Sequence, residues 1–188
     1  MGTYNKYMVL NSTFINTFFF AIKRIEISNG KPIIYINSKY LLDIMLFLYL
    51  HTNCRYDCLV DISSVDYISR EVRFEVIYNL LSIDYNSRIE IRCLVEEFGL
   101  SSIELIHPAA VWYEREIWDM FGIFFEGNNS LQRILTDYGF NGHPLRKDFP
   151  CTGFFDIKYD YITKSVKYFN LSLAQENKIY DYAAVWQK

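Results

Sequence analysis

The stretch Arg70–Glu97, REVRFEVIYNLLSIDYNSRIEIRCLVEE, holds the alternation on which the fold turns. Val72, Phe74 and Val76 alternate with Arg73, Glu75 and Ile77. After the polar turn SIDYNS, Ile89, Ile91, Cys93 and Val95 face one way while Arg88, Glu90 and Arg92 face the other. Period-two patterning predicts two strands, and the short polar loop between them predicts an antiparallel pair with one wet face. Charges of both signs on that face predict cross-strand ion pairs, each worth a few tenths of a kcal/mol at most, roughly.

Working upstream, CLVDIS (Cys58–Ser63) reads as a short buried strand. RIEISNGKPIIYI (Arg24–Ile36) reads as a hairpin, because Asn29-Gly30 supplies the positive φ of a tight turn between β-branched runs. Asn37-Ser38 can cap a following helix to about Tyr49, with Leu42, Met45, Leu46 and Tyr49 at helical spacing. Residues 1–23 are helical or irregular and stand as an N-terminal extension.

Downstream, HPAAVWYEREIWDMFG predicts a helix from about Pro108 to Phe121, with Pro in the first turn and Gly122 as the stop. Beyond Gly127 turns dominate and apolar periodicity fades. That last part still holds Phe140, Phe149, Phe154, Phe155, Tyr159, Tyr161, Tyr168, Phe169, Tyr180, Tyr182 and Trp186. A chain so aromatic is too apolar for ordinary disorder, and without a core of its own it should bury its rings on another surface. The expected organisation is an α/β (α+β) domain over 24–127, with a mostly antiparallel sheet and flanking helices. An extended, largely irregular segment over 128–188 would follow.

Half of the 188 residues are hydrophobic and 18% are aromatic, an excess that fits either a large core or an interface. The formal charge of −3 argues against a general nucleic-acid binder. The cysteines (Cys54, Cys58, Cys93, Cys151) read as reduced thiols, and the scattered His51, His107 and His143 do not form a zinc motif. FINTFFFAI (Phe14–Ile22) and LLDIMLFLYL (Leu41–Leu50) are too short to span a bilayer, and no secretory signal or Arg-rich presequence is expected. The Phe, Ile, Tyr, Asn and Lys bias fits an AT-rich, organelle-like genome.

The helix carries the densest set of charges. Glu114 and Glu116 are two residues apart and point in different directions, so they are poorly placed to attack one bond together. Arg115 and Asp119, at i and i+4, are expected to pair. The readings left open are a solvated charged face and charged contacts at a protein interface. In NGHPLRKDF, His143 with Arg146, Lys147 and Asp148 is an anion-site candidate, against a turn whose polar groups satisfy the backbone. Nucleophile-elbow, phosphate-loop, dinucleotide and iron–sulfur patterns are not found.

WYEREIWDMFGIFFEG (Trp112–Gly127) followed by LQRILTDYGFNGHPLRKDFP (Leu131–Pro150) resembles the signature of the 30 kDa subunit family of respiratory complex I, called NADH dehydrogenase subunit 9 in mitochondria and the C-type subunit in bacteria. LVDISSVDY and RFEVIYNLL are similar to that family's sheet, and LSLAQENKIYDYAAVW (Leu171–Trp186) to its tail. GNNSLQR (Gly127–Arg133) departs from it: the family carries a His-Pro-Asp turn and two arginines there, and only Arg133 of the basic pair remains.

The resemblance implies a structural subunit of the peripheral arm, in the quinone module of NADH:ubiquinone oxidoreductase. Such a chain binds no cofactor itself; FMN, iron–sulfur clusters and ubiquinone belong to the assembled complex. Implied partners are the large quinone-site subunit of the 49 kDa type, which the C-terminal segment wraps, the adjacent cluster-bearing subunit, and other peripheral-arm subunits. The implied place is the matrix side of the mitochondrial inner membrane, for a mitochondrially encoded chain without a membrane span. Signature and interface candidates are Glu114, Arg115, Glu116, Asp119, Gly122, Arg133, His143, Pro144, Arg146, Lys147, Asp148 and Trp186. The alternatives are a scaffold of a plastid NDH-type or hydrogenase complex, and an autonomous acid/base enzyme using Glu114, Glu116 or His143.

Overall fold

The computed structural model describes residues 14–95, 99–175 and 177–178, and divides the chain into two units, Met1–Lys147 and Asp148–Lys188. In the first unit, β1 (Ile22–Ser28) and β2 (Lys31–Ile36) form the expected hairpin around Asn29 and Gly30, whose φ angles are 50° and 74°. A single 3-10 turn, with Lys39 N–H bound to the Asn37 side chain, leads into α1 (Leu41–Leu50). Then follow β3 (Cys58–Asp66), β4 (Phe74–Ser82) and β5 (Ser87–Leu94). The sheet order is β1-β2-β5-β4-β3, antiparallel except where β2 runs parallel to β5. A two-stranded parallel piece, β6 (Leu100–Ser101) with β7 (Phe125–Glu126), brackets α2 (Ala110–Phe121).

The alternation in β4 and β5 puts Val76 opposite Cys93, Tyr78 opposite Ile91 and Leu80 opposite Ile89. All six are buried in one cluster with Leu41, Ile44, Met45 and Leu48 of α1 and Ala110 and Ile117 of α2. On the other face the expected cross-strand ion pair forms, Arg92 Nη1 to Glu75 Oε1 at 3.1 Å, and Arg70 reaches the second Glu75 oxygen at 3.0 Å. That face is less wet than its pattern suggests: the two guanidinium groups cover Glu75 almost completely.

Two boundaries differ from expectation. Residues 14–18 are helical, and Phe14, Phe18 and Ala21 are buried against the main core, with both phenyl rings against Phe47 of α1. The latter part of the supposed N-terminal extension is therefore core; residues 1–13 lie outside the described residues. At the other end the compact unit runs to Lys147 rather than Gly127, because the intervening segment is hydrogen-bonded to α2.

The second unit also holds an element that the fading periodicity concealed. β8 (Phe155–Asp160) and β9 (Ser165–Asn170) form an antiparallel hairpin. Ile157 pairs with Tyr168 and Tyr159 with Val166, so these side chains share one face with Phe155, and all five are exposed. The opposite face carries Asp156, Lys158, Asp160, Ser165, Lys167 and one ring, Phe169, with Lys167 Nζ 2.6 Å from Asp160 and Lys158 Nζ 3.4 Å from Asp156. The expected irregular segment thus contains an amphipathic β-ribbon.

Candidate functional site

Every α-helix ends with four carbonyls that lack an intrahelical partner. In α2 each of them is met. Gly122, in the left-handed region at φ 75°, turns its N–H back to the Trp118 carbonyl at 2.9 Å. His143 Nδ1 lies 3.0 Å from the Asp119 carbonyl; that oxygen only accepts, so Nδ1 carries the proton. Leu145 N–H reaches the Met120 carbonyl at 3.1 Å, and Arg146 Nε the Phe121 carbonyl at 2.5 Å. Pro144, which has no N–H, sits between two of these donors. The basic groups also complement the negative end of the helix dipole. Of the two readings of this loop, the turn whose polar groups satisfy the backbone is the one seen here, as the cap of α2.

Close approach is what makes Gly122 necessary. A Cβ there would fall 2.6 Å from His143 Nε2 and closer still to the Arg146 guanidinium. The left-handed φ excludes a side chain as well. A second anchor holds the far end of the loop: Asp66, at the end of β3, takes two hydrogen bonds from Arg73 at 2.6 and 2.7 Å and one from Lys147 N–H at 2.8 Å. The Arg73 guanidinium, helped by Lys147 N–H, holds its carboxyl below the usual range in spite of burial.

The two buried carboxylates of α2 behave oppositely. Asp119 Oδ1 accepts from Arg133 Nη1 at 2.8 Å and Thr136 Oγ1 at 2.6 Å, and Oδ2 from the N–H groups of Ile134, Leu135 and Thr136 at 3.1, 2.8 and 3.0 Å. Burial pushes its pKa up, but the hydrogen bonds from Thr136, Leu135 and Arg133 outweigh that and bring it to about 2. Glu114 is equally enclosed but has only neutral partners. They are Ser102 Oγ at 2.6 Å, Ile103 N–H at 2.9 Å and Asn128 Nδ2 at 2.8 Å. Burial prevails there and raises its pKa above the ordinary carboxylate value.

The expected Arg115–Asp119 pair does not form, because Asp119 is occupied by Arg133 and the 134–136 backbone. Arg115 instead lies over the Trp112 ring, 4.9 Å from its centroid. Glu116 is exposed, as expected for a residue turned away from Glu114. Of the twelve signature residues, the structure draws Asp119, Gly122, Arg133, His143, Pro144 and Arg146 together at the end of α2, with Lys147 on Asp66. Glu114 belongs to a separate cluster near the start of the helix. Asp148 opens the second unit, and Trp186 lies outside the described residues. Ser102, Asn128, Thr136, Asp66 and Arg73 were not singled out from sequence. Asn128 alone carried a signal, since it lies in the GNNSLQR stretch where the resemblance departs.

Among the described residues no group of three or more His, Cys, Asp or Glu side chains is placed to hold a metal. Iron–sulfur clusters are held by thiolates, and two of the four cysteines, Cys54 and Cys93, are buried where the thiol form is favoured. Burial pushes Cys54 up to about 11 and Cys93 higher still. Among the described residues no helix is long and apolar enough to cross a membrane.

Comparison with known proteins gives a consistent picture. The family model described as "Respiratory-chain NADH dehydrogenase, 30 Kd subunit" matches residues 34–155. The NADH dehydrogenase [ubiquinone] iron-sulfur protein 3 of Marchantia polymorpha is 48% identical over 168 residues, covering 89% of this chain and 86% of that protein. The C-type subunit of the NADH-quinone oxidoreductase of Rhodobacter capsulatus is 43% identical over 163 residues, covering 86% and 82%. Despite the words in the first relative's name, the residues here do not fit an iron–sulfur cluster. A solved structure of the trypsin-resistant fragment (1–134) of Nqo5 superposes with a TM-score of 0.56 at 26% identity, covering 66% of this chain and 98% of that one. A chain of an archaeal membrane-bound sulfane sulfur reductase shares the fold, with a TM-score of 0.67 at 21% identity over 78% of this chain and 86% of that one.

Proposed function

The chain belongs to the 30 kDa subunit family of the respiratory-chain NADH dehydrogenases and is a subunit of NADH:ubiquinone oxidoreductase, and we propose that its part in that enzyme is structural. It stands in the peripheral arm, on the matrix side of the mitochondrial inner membrane. NADH oxidation, electron transfer along clusters and quinone reduction take place at groups held by other subunits. This chain fixes the geometry of the quinone module by joining the large quinone-site subunit to the adjacent cluster-bearing subunit.

The observation that carries the reading is the open apolar face of the β8–β9 ribbon. A two-stranded hairpin alone is marginal in water. Phe155, Ile157, Tyr159, Val166 and Tyr168, each about half exposed, would each gain roughly 1 kcal/mol on full burial, before the costs of ordering and association are subtracted. The charged face, with its ion pairs already made, suits the solvent side. The ribbon belongs to the wrapping segment, and the large quinone-site subunit is its support.

The test uses the full chain in its native complex. Ile157→Asp or Tyr159→Asp should prevent incorporation on native gels and lower NADH:ubiquinone activity in proportion, while Lys158→Ala on the other face should assemble normally. A chain ending at Lys147 should fold and fail to assemble. Wild-type incorporation of the Asp variants would refute the reading.

A further inference from the structure

Glu114 sits where three segments meet: α2, which carries it, residues 102–104 after β6, and the turn 127–130 after β7. It is fully buried. Two of its three bonds have a fixed direction. Ile103 N–H can only donate to Oε1, and Ser130 N–H holds Asn128 Oδ1 at 3.0 Å, which turns Asn128 Nδ2 toward Oε2. The third can reverse. Ser102 Oγ lies 2.6 Å from Oε2, where its hydroxyl donates to a carboxylate or, rotated, accepts from a protonated carboxyl.

The site therefore accepts both forms of the acid, but not at equal cost. Among the described residues Glu114 makes no ion pair, whereas Asp119 on the same helix has Arg133. The titratable groups that act on Glu114 are a second carboxylate, Glu104 beyond Ser102, and Tyr78 of β4. The charges beside it on α2 are turned elsewhere: Arg115 lies over Trp112, and Glu116 is exposed, as is Glu126 of β7. A buried charge without a counter-charge is costly. Burial accordingly raises the Glu114 pKa above its ordinary 4.5 in spite of the three hydrogen bonds.

Water would relieve that cost, and the turn is the part that can admit it. Ser102 and Ile103 are buried, but Gly127 and Asn129 are exposed. Gly127 has a φ of 91°, and a Cβ there would meet nothing nearer than Ser102 Cβ at 4.0 Å, so the turn is not tightly packed at that point. We infer that Glu114 and the 127–130 turn form a pH-operated latch, closed over the protonated carboxyl and driven open when that carboxyl ionises. The sign follows from linkage. The closed site holds the proton more tightly than the hydrated one, so the opening equilibrium rises with pH above 4.5 and levels off once the closed site has ionised. The order of the turn thereby follows the proton concentration around the chain.

Amide hydrogen exchange of the isolated full chain, followed from about pH 5 to about pH 9 and corrected for the intrinsic rate at each pH, tests the latch. The opening constant read at Ile103, Glu104 and Ser130 should rise at least about threefold over that range, while the β4 and β5 amides stay flat. Glu114→Gln should abolish the rise. Glu104→Gln removes the neighbouring carboxylate and should reduce it. Asn128→Asp sets a second carboxylate against Oε2 while keeping the Ser130 contact, and should increase it. A flat wild-type profile at the three amides overturns the inference without any variant. A rise shared equally by β4 and β5, or one that survives in a folded Glu114→Gln chain, also overturns it.

Discussion

In the β4–β5 pair, Val76, Tyr78 and Leu80 face Cys93, Ile91 and Ile89, and none is more than 1% exposed. In the β8–β9 pair, Phe155, Ile157 and Tyr159 face Val166 and Tyr168 across the same kind of ladder and are between 47% and 64% exposed. Both pairs are antiparallel, and both put charges on the opposite face. They differ in what covers the apolar side: α1 and α2 supply a second layer in the first case, and among the described residues of the second unit none covers the ribbon. A sheet face of that composition is stable only when layered. The β4–β5 pair is a part of the molecule that supports itself, and the β8–β9 pair is the part for which the proposed function supplies a neighbour.

The self-supporting part should fail when its internal bonds are cut, with or without a partner. Asp119→Ala would strand Arg133 and the N–H groups of Ile134, Leu135 and Thr136 in a buried site, and should cost about 3–5 kcal/mol in chemical denaturation of the isolated chain. Ile157→Asp in the same experiment should change stability by less than about 0.5 kcal/mol, because its side chain contributes little until a partner arrives. Equal losses from the two substitutions would erase the distinction.

Gly122→Ala tests whether the cap of α2 is as tight as its geometry implies. Left-handed backbone alone costs a side chain about 1–2 kcal/mol, and His143 and Arg146 must also move away from the new Cβ. The isolated variant should melt lower; unchanged stability would mean that the loop readily relocates.

The smallest expected effect concerns pH. Asp119 has a depressed pKa, so its contribution is present above its unfolded value near 3.8 and is lost as the pH falls toward about 2. Glu114 has a raised pKa, so its contribution is complete below its unfolded value near 4.5 and declines as the pH rises through the folded value. Glu114→Gln should flatten the stability profile above pH 4.5 and leave the acid limb intact. A parallel profile would show that Asn128, Ser102 and Ile103 stabilise the ionised carboxylate fully.

Much of the self-supporting part was legible. Asn29-Gly30 announced its hairpin, the alternation in 74–82 and 87–94 announced the central pair, and Gly122 announced the end of α2. The parallel β2–β5 contact was not, because it joins segments separated by α1 and two strands. The partner of Asp119 was misread for a related reason. A local i, i+4 rule selected Arg115, whereas a loop fourteen to seventeen residues away brought a cation, a hydroxyl and three backbone donors. The ribbon failed differently. Phe-Asp-Ile-Lys-Tyr-Asp at 155–160 alternates perfectly, but six residues beside several turns are easily taken for loop. Only pairing with 165–170 gives the pattern its meaning.

Hydrogen exchange along β8 and β9, in the isolated full chain and in the assembled complex, tests the dependence of the ribbon most directly. These amides should exchange rapidly in the isolated chain while β4 and β5 stay protected, and both pairs should be strongly protected after assembly. Protection of β8–β9 in the isolated chain equal to that of β4–β5, unchanged on assembly, would contradict it.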